Sequence, residues 1–333
     1  MSKYKTLIRY TKPISIVAAS SVVGSREMAG PLASYFDITM KDDRFGMKTY
    51  EQGEIEMVKI AYDCCLKKSN GISADLIIGG DLQNQCVANS FAMSETNTQY
   101  LGIYGACSSM AQGLGLGAAL IDGGNFKSIV CSASSHFSTS ERQFRFPLEY
   151  GLQRTPTSQT TVTGAASIML SSELLSNVSI TASLFGIIKD MGIKDANNMG
   201  AAMAGAALDT LQRYFYQSNY TVKDFDLIAT GDLGTEGADI LRENAEAQGL
   251  ELGERFKDCG ELIYDTQNQS VFSGGSGCGC SAVVLAGYIM KKLQDNVFKR
   301  VLLIGTGALL SSGSVLQKLS VPGIAHLVEI TRS

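Results

Sequence analysis

The string Gly105-Ala106-Cys107-Ser108-Ser109 carries the clearest chemistry in this sequence. It follows a strand-like stretch, Tyr100 to Tyr104, and precedes an apolar helical run that reaches Ile121. A strand, a sharp turn and a helix raise the Cys107 thiol at a helix N-terminus, where free N–H groups and the helix dipole favour a thiolate. That arrangement suits a nucleophile. It also suits a small residue chosen for tight packing, because Gly113, Gly115 and Gly117 follow on the same helix. A thiol that transfers acyl groups needs a proton-handling or oxyanion partner as well, and the chain has only 2 His. His326 lies in the alternating run Gly323 to Val328 and reads as a strand residue. His136 follows a strand ending at Ser134, near the sheet edge where open α/β sites form. It serves equally well to cap a turn.

The elements that must position these groups are duplicated. Ala74 to Leu82 reads as a buried strand ending in a turn, and Phe225 to Leu233 repeats it 151 positions later. Asn125 to Val130 is echoed by Val297 to Leu302. Each half has a Gly-rich turn feeding an apolar helix, from Gly105 to Ile121 and from Ser273 to Met290. Each closes with a strand, Thr161 to Leu170 and Ile324 to Ile330. Helical patterns over Tyr50 to Lys67, Met199 to Gln217 and Glu236 to Gln248 alternate with the strands. Recurring α/β units predict two similar halves with parallel-rich sheets. We place them at residues 1–175 and 176–333. A polar, irregular insertion over about 134–160, holding Arg142, Arg145 and Arg154, reads as a cap.

Composition sets the outer limits. The chain has 333 residues, 45% hydrophobic, with a formal net charge of −4, so it offers no general field for nucleic acid. Its 8 Cys lie mostly in apolar runs without a CxxC pair, which reads as reduced thiols and no metal site. Lys3, Lys5, Arg9 and Lys12 before Ile14 to Ala19 imitate a signal peptide, but the short apolar part reads as a buried first strand. No apolar stretch approaches the roughly 18 residues of a membrane span. Lys291, Lys292, Lys299 and Arg300 offer a small basic patch that is either lipid-facing or simply solvated.

The duplicated halves, the Cys107 elbow and the paired loop at Ser273 to Cys280 resemble the thiolase fold, most closely the layout of β-ketoacyl-acyl-carrier-protein synthase III, over essentially the whole chain. The resemblance implies an α/β protein of two duplicated βαβαβ-type halves in five layers, α-β-α-β-α. Enzymes of that group pair the elbow Cys with a His after a second-half strand and an Asn or His in the second Gly-rich loop. By the repeat, these positions fall at Gly231-Asp232-Leu233 and Gly274-Gly275-Ser276, which hold neither. There is also no Trp to stack on a coenzyme A adenine.

Further strings, Lys12-Pro13-Ile14, Gly24-Ser25-Arg26-Glu27, Ser135 to Arg145 and Arg154 to Gln159, resemble the stage V sporulation protein AD family. That resemblance implies a non-catalytic thiolase-fold protein that binds dipicolinic acid. It implies work with membrane subunits to move the acid, with calcium as its companion, across the spore inner membrane. It also implies synthesis in the cytoplasm of the sporulating cell, a peripheral place at that membrane, and a homodimer paired near Leu101 to Tyr104. The alternative is an active acyltransferase using Cys107 with His136.

Dipicolinate is a flat aromatic dianion at neutral pH. Two helix N-termini, at Cys107 and near Ser276, are expected to converge on one cleft and offer N–H donors. Gly274 and Gly275 permit close backbone approach. Arg142 and Arg145 either clamp the carboxylates or form surface salt bridges. Asp81, Asn84 and Asp232, at strand ends, are expected to line the cleft, with His136 near them.

Overall fold

The structure, a computed structural model, describes residues 6–144 and 154–333. In the first half the elements are β1 (Ile8–Val23), α1 (Ser25–Met28), β2 (Ile38–Thr39), α2 (Tyr50–Lys68), β3 (Leu76–Asp81), α3 (Val87–Met93), β4 (Gln99–Gly102), α4 (Ser109–Asp122), β5 (Ser128–Ser135), α5 (Phe137–Phe144), β6 (Thr160–Thr161) and β7 (Gly164–Ser171). The second half continues with β8 (Val178–Leu184), α6 (Met199–Ser218), β9 (Leu227–Thr230), α7 (Gly234–Ala247), β10 (Phe256–Asp258), α8 (Cys259–Ile263), β11 (Gly275–Ser276), α9 (Cys278–Val284), α10 (Met290–Gln294), β12 (Arg300–Ala308), α11 (Ser312–Leu316) and β13 (Gly323–Arg332). A π-helical turn, Leu285–Ile289, joins α9 to α10.

The strand order is β4-β3-β5-β7-β1 in one half and β10-β9-β12-β13-β8 in the other, the same path twice. β3 pairs in parallel with β4 and β5, and β9 with β10 and β12. The strands that close each half, β7 and β13, run antiparallel to their neighbours. The sheet is therefore mixed rather than parallel-rich. β1 and β8 pair across the middle, with a register shift between Arg9 and Ile14.

Alternation along the strands explains the layering. Ile78, Cys131 and Ile168 point into one core with Met110 and Leu114 of α4, while Ile77, Val130 and Met169 point the other way, to Met57 and Ala61 of α2. In the second half, Ala229, Leu303 and Val328 face the α4 core, and Ile228, Leu302 and Leu327 face Met203 and Leu211 of α6. Helix α4 thus packs against both halves of the sheet. The layers run α2 and α3, first sheet half, α4 and α9, second sheet half, α6 and α7. This is the five-layered α-β-α-β-α order of a thiolase-like fold.

Local sequence sets the element ends. Thr49 caps α2 by accepting the Gln52 N–H at 3.2 Å, and Asn198 caps α6 by accepting the Ala201 N–H at 3.1 Å. The expected cap is described on either side of residues 145–153. In its described part, α5 carries Glu141 inward to Arg154 (3.0 Å) and the Thr161 hydroxyl (3.1 Å), tying both ends of the insertion together.

Candidate functional site

Cys107 stands on the turn between β4 and α4. Ala106, just before it, has φ +48°, a left-handed conformation that a residue with a Cβ seldom adopts. β12 presses directly on this elbow: a Cβ on Gly305 would lie 2.7 Å from the Ala111 Cβ. The elbow forms part of the wall of a cavity of about 440 Å³. Gln83, Asn84 and Gln85 line it from the end of β3, Gln143 from α5, Ser276 from β11 and Met199 from the start of α6. Leu309 to Ser312 and Ser314, after β12, complete it with Tyr104. Every described lining residue is neutral, and amides and hydroxyls share the wall with apolar side chains.

Behind the cavity, Asp232 is fully buried and its carboxyl faces the Cys107 thiol. Its carboxyl also accepts the Thr306 hydroxyl at 2.7 Å and the Gly277 N–H at 3.0 Å, while the Gln159 amide holds its carbonyl at 2.6 Å. Burial pushes Asp232 up to about 8. Burial first, and then the Asp232 charge, hold Cys107 well above the usual thiol range. The helix dipole favours a thiolate, but desolvation outweighs it. The thiol therefore keeps its proton.

The expected partner for Cys107 is not brought to it. His136 is buried beside Tyr50, and its Nε2–H donates to the Asp43 carbonyl (2.7 Å) while Nδ1 accepts the Ser138 N–H (3.1 Å). Both ring nitrogens are occupied, burial lowers its proton affinity, and it is outside the cavity wall. His326 accepts the Gly186 N–H at 3.1 Å, and burial lowers it to about 4. Neither imidazole serves the elbow.

Other expectations also change. Asn84 and Ser276 line the cavity as anticipated, but Asp81 lies behind the wall, accepting the Gln83 N–H (3.0 Å) and the Asn89 N–H (2.8 Å). Arg142 turns away to Glu51 at 2.8 Å. Arg145 lies outside the described residues. Gly274 and Gly275 build the loop rather than touch the cavity: Gly274 has φ +107°, donates its N–H to the Val271 carbonyl and accepts from Thr160, and Gly275 pairs with Thr160. The Gly277 and Gly279 amides are taken by Asp232 and by the Ser135 hydroxyl (3.1 Å). The second helix start is thus consumed internally and offers no such donors to a ligand.

Among the described residues, no group of three or more His, Cys, Asp or Glu side chains is placed to hold a metal ion. The wall residues missed from sequence include Gln83, Gln85, Tyr104, Gln143, Met199, Leu309 to Ser312 and Ser314. The repeat held a signal for some of them. β12 corresponds to β5, so the stretch after Ala308 is the counterpart of the cap that follows Ser135.

The fold and the elbow define a thiolase-like protein. Solved structures agree: 3-oxoacyl-[acyl-carrier-protein] synthase III from Aquifex aeolicus is 11% identical with a TM-score of 0.57, over 96% of this chain and 99% of that one. The OleA protein of Xanthomonas campestris is 12% identical with a TM-score of 0.62, over 99% of this chain and 100% of that one. At this identity the likeness concerns the fold alone. The family is narrower. Residues 4–331 match the model of stage V sporulation protein AD, and the chain is 39% identical over 326 residues to "Stage V sporulation protein AD" of Bacillus subtilis, covering 97% of this chain and 96% of that protein. The chain belongs to the stage V sporulation protein AD family, a family of sporulation proteins. No helix among the described residues is long and apolar enough to cross a membrane.

Proposed function

We propose that this chain is a non-catalytic binding protein for dipicolinic acid. In this reading it is a peripheral subunit, at the spore inner membrane, of the channel that takes up calcium dipicolinate in sporulation and releases it in germination. The observation that carries the reading is the juxtaposition of Cys107 and the buried Asp232 behind the neutral wall of the cavity. A condensing enzyme needs a base to generate a thiolate. Here the thiol faces a buried carboxyl, and burial raises the proton affinity of both groups. The site favours holding a ligand over attacking one.

The cavity suits the ligand class. About 440 Å³ lies within the range of small-molecule sites. Met199, Leu309 and Leu310 supply apolar area for a flat ring, and Gln143, Asn84 and the Ser312 hydroxyl supply donors for carboxylates. Calcium enters this reading as cargo accompanying the acid. Membrane subunits of the same channel, and a second copy of this chain, are its proposed partners.

Calorimetric titration of the purified chain tests the reading. Dipicolinate is expected to bind much more tightly than benzoate, which has one carboxylate, and Leu310→Trp is expected to abolish binding while the protein still melts cooperatively. Equal binding of the two acids would remove the proposal. So would a Cys107-dependent acyl adduct that turns over after incubation with acyl-coenzyme A.

A further inference from the structure

Two buried carboxyls without a cationic partner lie immediately behind the cavity wall. Glu54, on α2, accepts Gln83 Nε2 (2.8 Å) and the Thr139 hydroxyl (2.6 Å) on Oε2, and the Ser134 hydroxyl (2.9 Å) on Oε1. Asp81, at the end of β3, accepts the Gln83 N–H on Oδ1 and both the N–H and the Nδ2 of Asn89 on Oδ2. Asn89 Nδ2 also reaches the Ser134 hydroxyl at 3.3 Å, so one hydrogen-bonded network holds both acids. Among the described residues, no Lys or Arg pairs with either. The titratable groups that face them are Glu51, already paired with Arg142, with Cys86, Cys278, Tyr100 and Tyr104. None of these supplies positive charge.

Gln83 joins this network to the cavity. Its side chain is hydrogen-bonded to Glu54, its main chain to Asp81, and it forms part of the cavity wall. We propose that Glu54 and Asp81 form a proton-binding site coupled through Gln83 to the cavity, so that an anionic aromatic carboxylate enters together with one proton from solvent. The inference rests on the reading of the cavity as a dipicolinate site.

Coulomb repulsion across a short, poorly screened distance gives the coupling its sign. A carboxylate in the cavity raises the proton affinity of the pair, and the proton tightens the carboxylate by the same factor. Gln83 supplies the local mechanism. While Glu54 is ionised, the Gln83 amide must give its nitrogen to the carboxylate. A proton on Oε2 makes that oxygen a donor to the amide carbonyl, which turns the N–H₂ toward the ligand. Thr139 then keeps its other acceptor, the His136 carbonyl at 3.3 Å. Burial raises the proton affinity of Glu54, and burial together with the Glu54 charge pushes Asp81 up to about 7.

Calorimetry of the full chain with dipicolinate, in two buffers of different ionisation enthalpy, reads the proton directly. Uptake close to one proton per ligand is expected near neutral pH, with affinity falling by up to about tenfold per pH unit above about pH 7. Glu54→Gln should remove the buffer-dependent heat and flatten the pH profile while dipicolinate still binds. Gln83→Leu, which leaves both carboxyls in place, should lower the uptake. Binding with equal heats in both buffers overturns the coupling and leaves the ligand reading standing. Uptake that survives Glu54→Gln but is lost in Asp232→Asn also overturns it, by moving the proton elsewhere. Absence of dipicolinate binding at every pH overturns the ligand reading, and the coupling with it. If Glu54→Gln fails to fold, the wild-type buffer comparison and Gln83→Leu decide.

Discussion

Asp232 accepts the Gly277 N–H at 3.0 Å with the carboxyl that faces the Cys107 thiol. One buried acid thus fixes the Gly-rich loop and, after burial itself, raises the proton affinity of the elbow Cys. A protonated thiol is a poor nucleophile, because only the thiolate reacts.

Alkylation tests it. With iodoacetamide at about pH 8, Cys107 is expected to react at least about tenfold more slowly than the half-buried Cys64. Asp232→Asn removes the negative charge that raises the thiol and should speed the reaction at Cys107. Peptide mass spectrometry reads each Cys separately. A wild-type Cys107 that reacts as fast as Cys64 would show a thiolate and overturn the reading of a thiol that keeps its proton.

Burial at Asp232 has a second consequence, for stability. Its affinity for a proton rises on folding, from 3.8 to about 8, so the folded state binds the proton more tightly than the unfolded chain does. The sign is therefore opposite to that of a salt-bridged acid. The benefit is full below the unfolded value and is lost as pH rises through the folded one. Asp81 and Asp258, each pushed to about 7, act in the same direction. Thermal melts should therefore show stability falling between about pH 5 and about pH 8, with a gentler slope in Asp232→Asn. An unchanged slope in that variant would remove Asp232 as a source.

Glu27 ties α1 to the second half. It is buried, hydrogen-bonded to the Tyr264 hydroxyl, and accepts the Thr163 N–H at 3.0 Å, while its Oε2 has no hydrogen-bond partner. Tyr264→Phe would leave a buried carboxyl with one donor fewer. A loss of about 1–3 kcal/mol is expected in denaturant unfolding. A loss within error of zero would mean that the acid is satisfied without the tyrosine.

What was legible in the sequence follows the range of the interaction. The repeat exposed the duplicated strands, because each strand carries its own apolar alternation and each turn its own glycines, but not their mixed pairing, since β7 and β13 run antiparallel to their neighbours. Asp232 was found as an empty histidine position by counting along that repeat. His136 stayed open between a site and a turn-capping role because its fate depends on the Asp43 carbonyl, 93 residues away in sequence. Arg142 stayed open between clamp and surface salt bridge for the same reason, since the salt bridge it forms is to Glu51, 91 residues back. Gln83 gave no signal, being a neutral amide in a turn. Its significance comes only from Glu54, which a helix from another layer delivers to it at 2.8 Å.

The sheet edge offers the last prediction. β4 is the terminal strand of its half, pairing only with β3, so its outer row of N–H and C=O groups is open to another strand. Leu101 is 39% exposed, and Phe91 at 61% and Tyr104 at 53% lie on neighbouring elements of the same edge. Two copies pairing through β4 would cover these side chains and complete the ladder. Tyr104 also lines the cavity, so the same contact would narrow the cavity mouth. Leu101→Lys, a charge on an edge strand, should shift the protein to monomer in light scattering and weaken dipicolinate binding together with it. A wild-type chain that stays monomeric at tens of micromolar, on the order of the concentration that populates ordinary stable dimers, would overturn the pairing. A monomeric Leu101→Lys with undiminished binding would instead separate the cavity from the dimer edge.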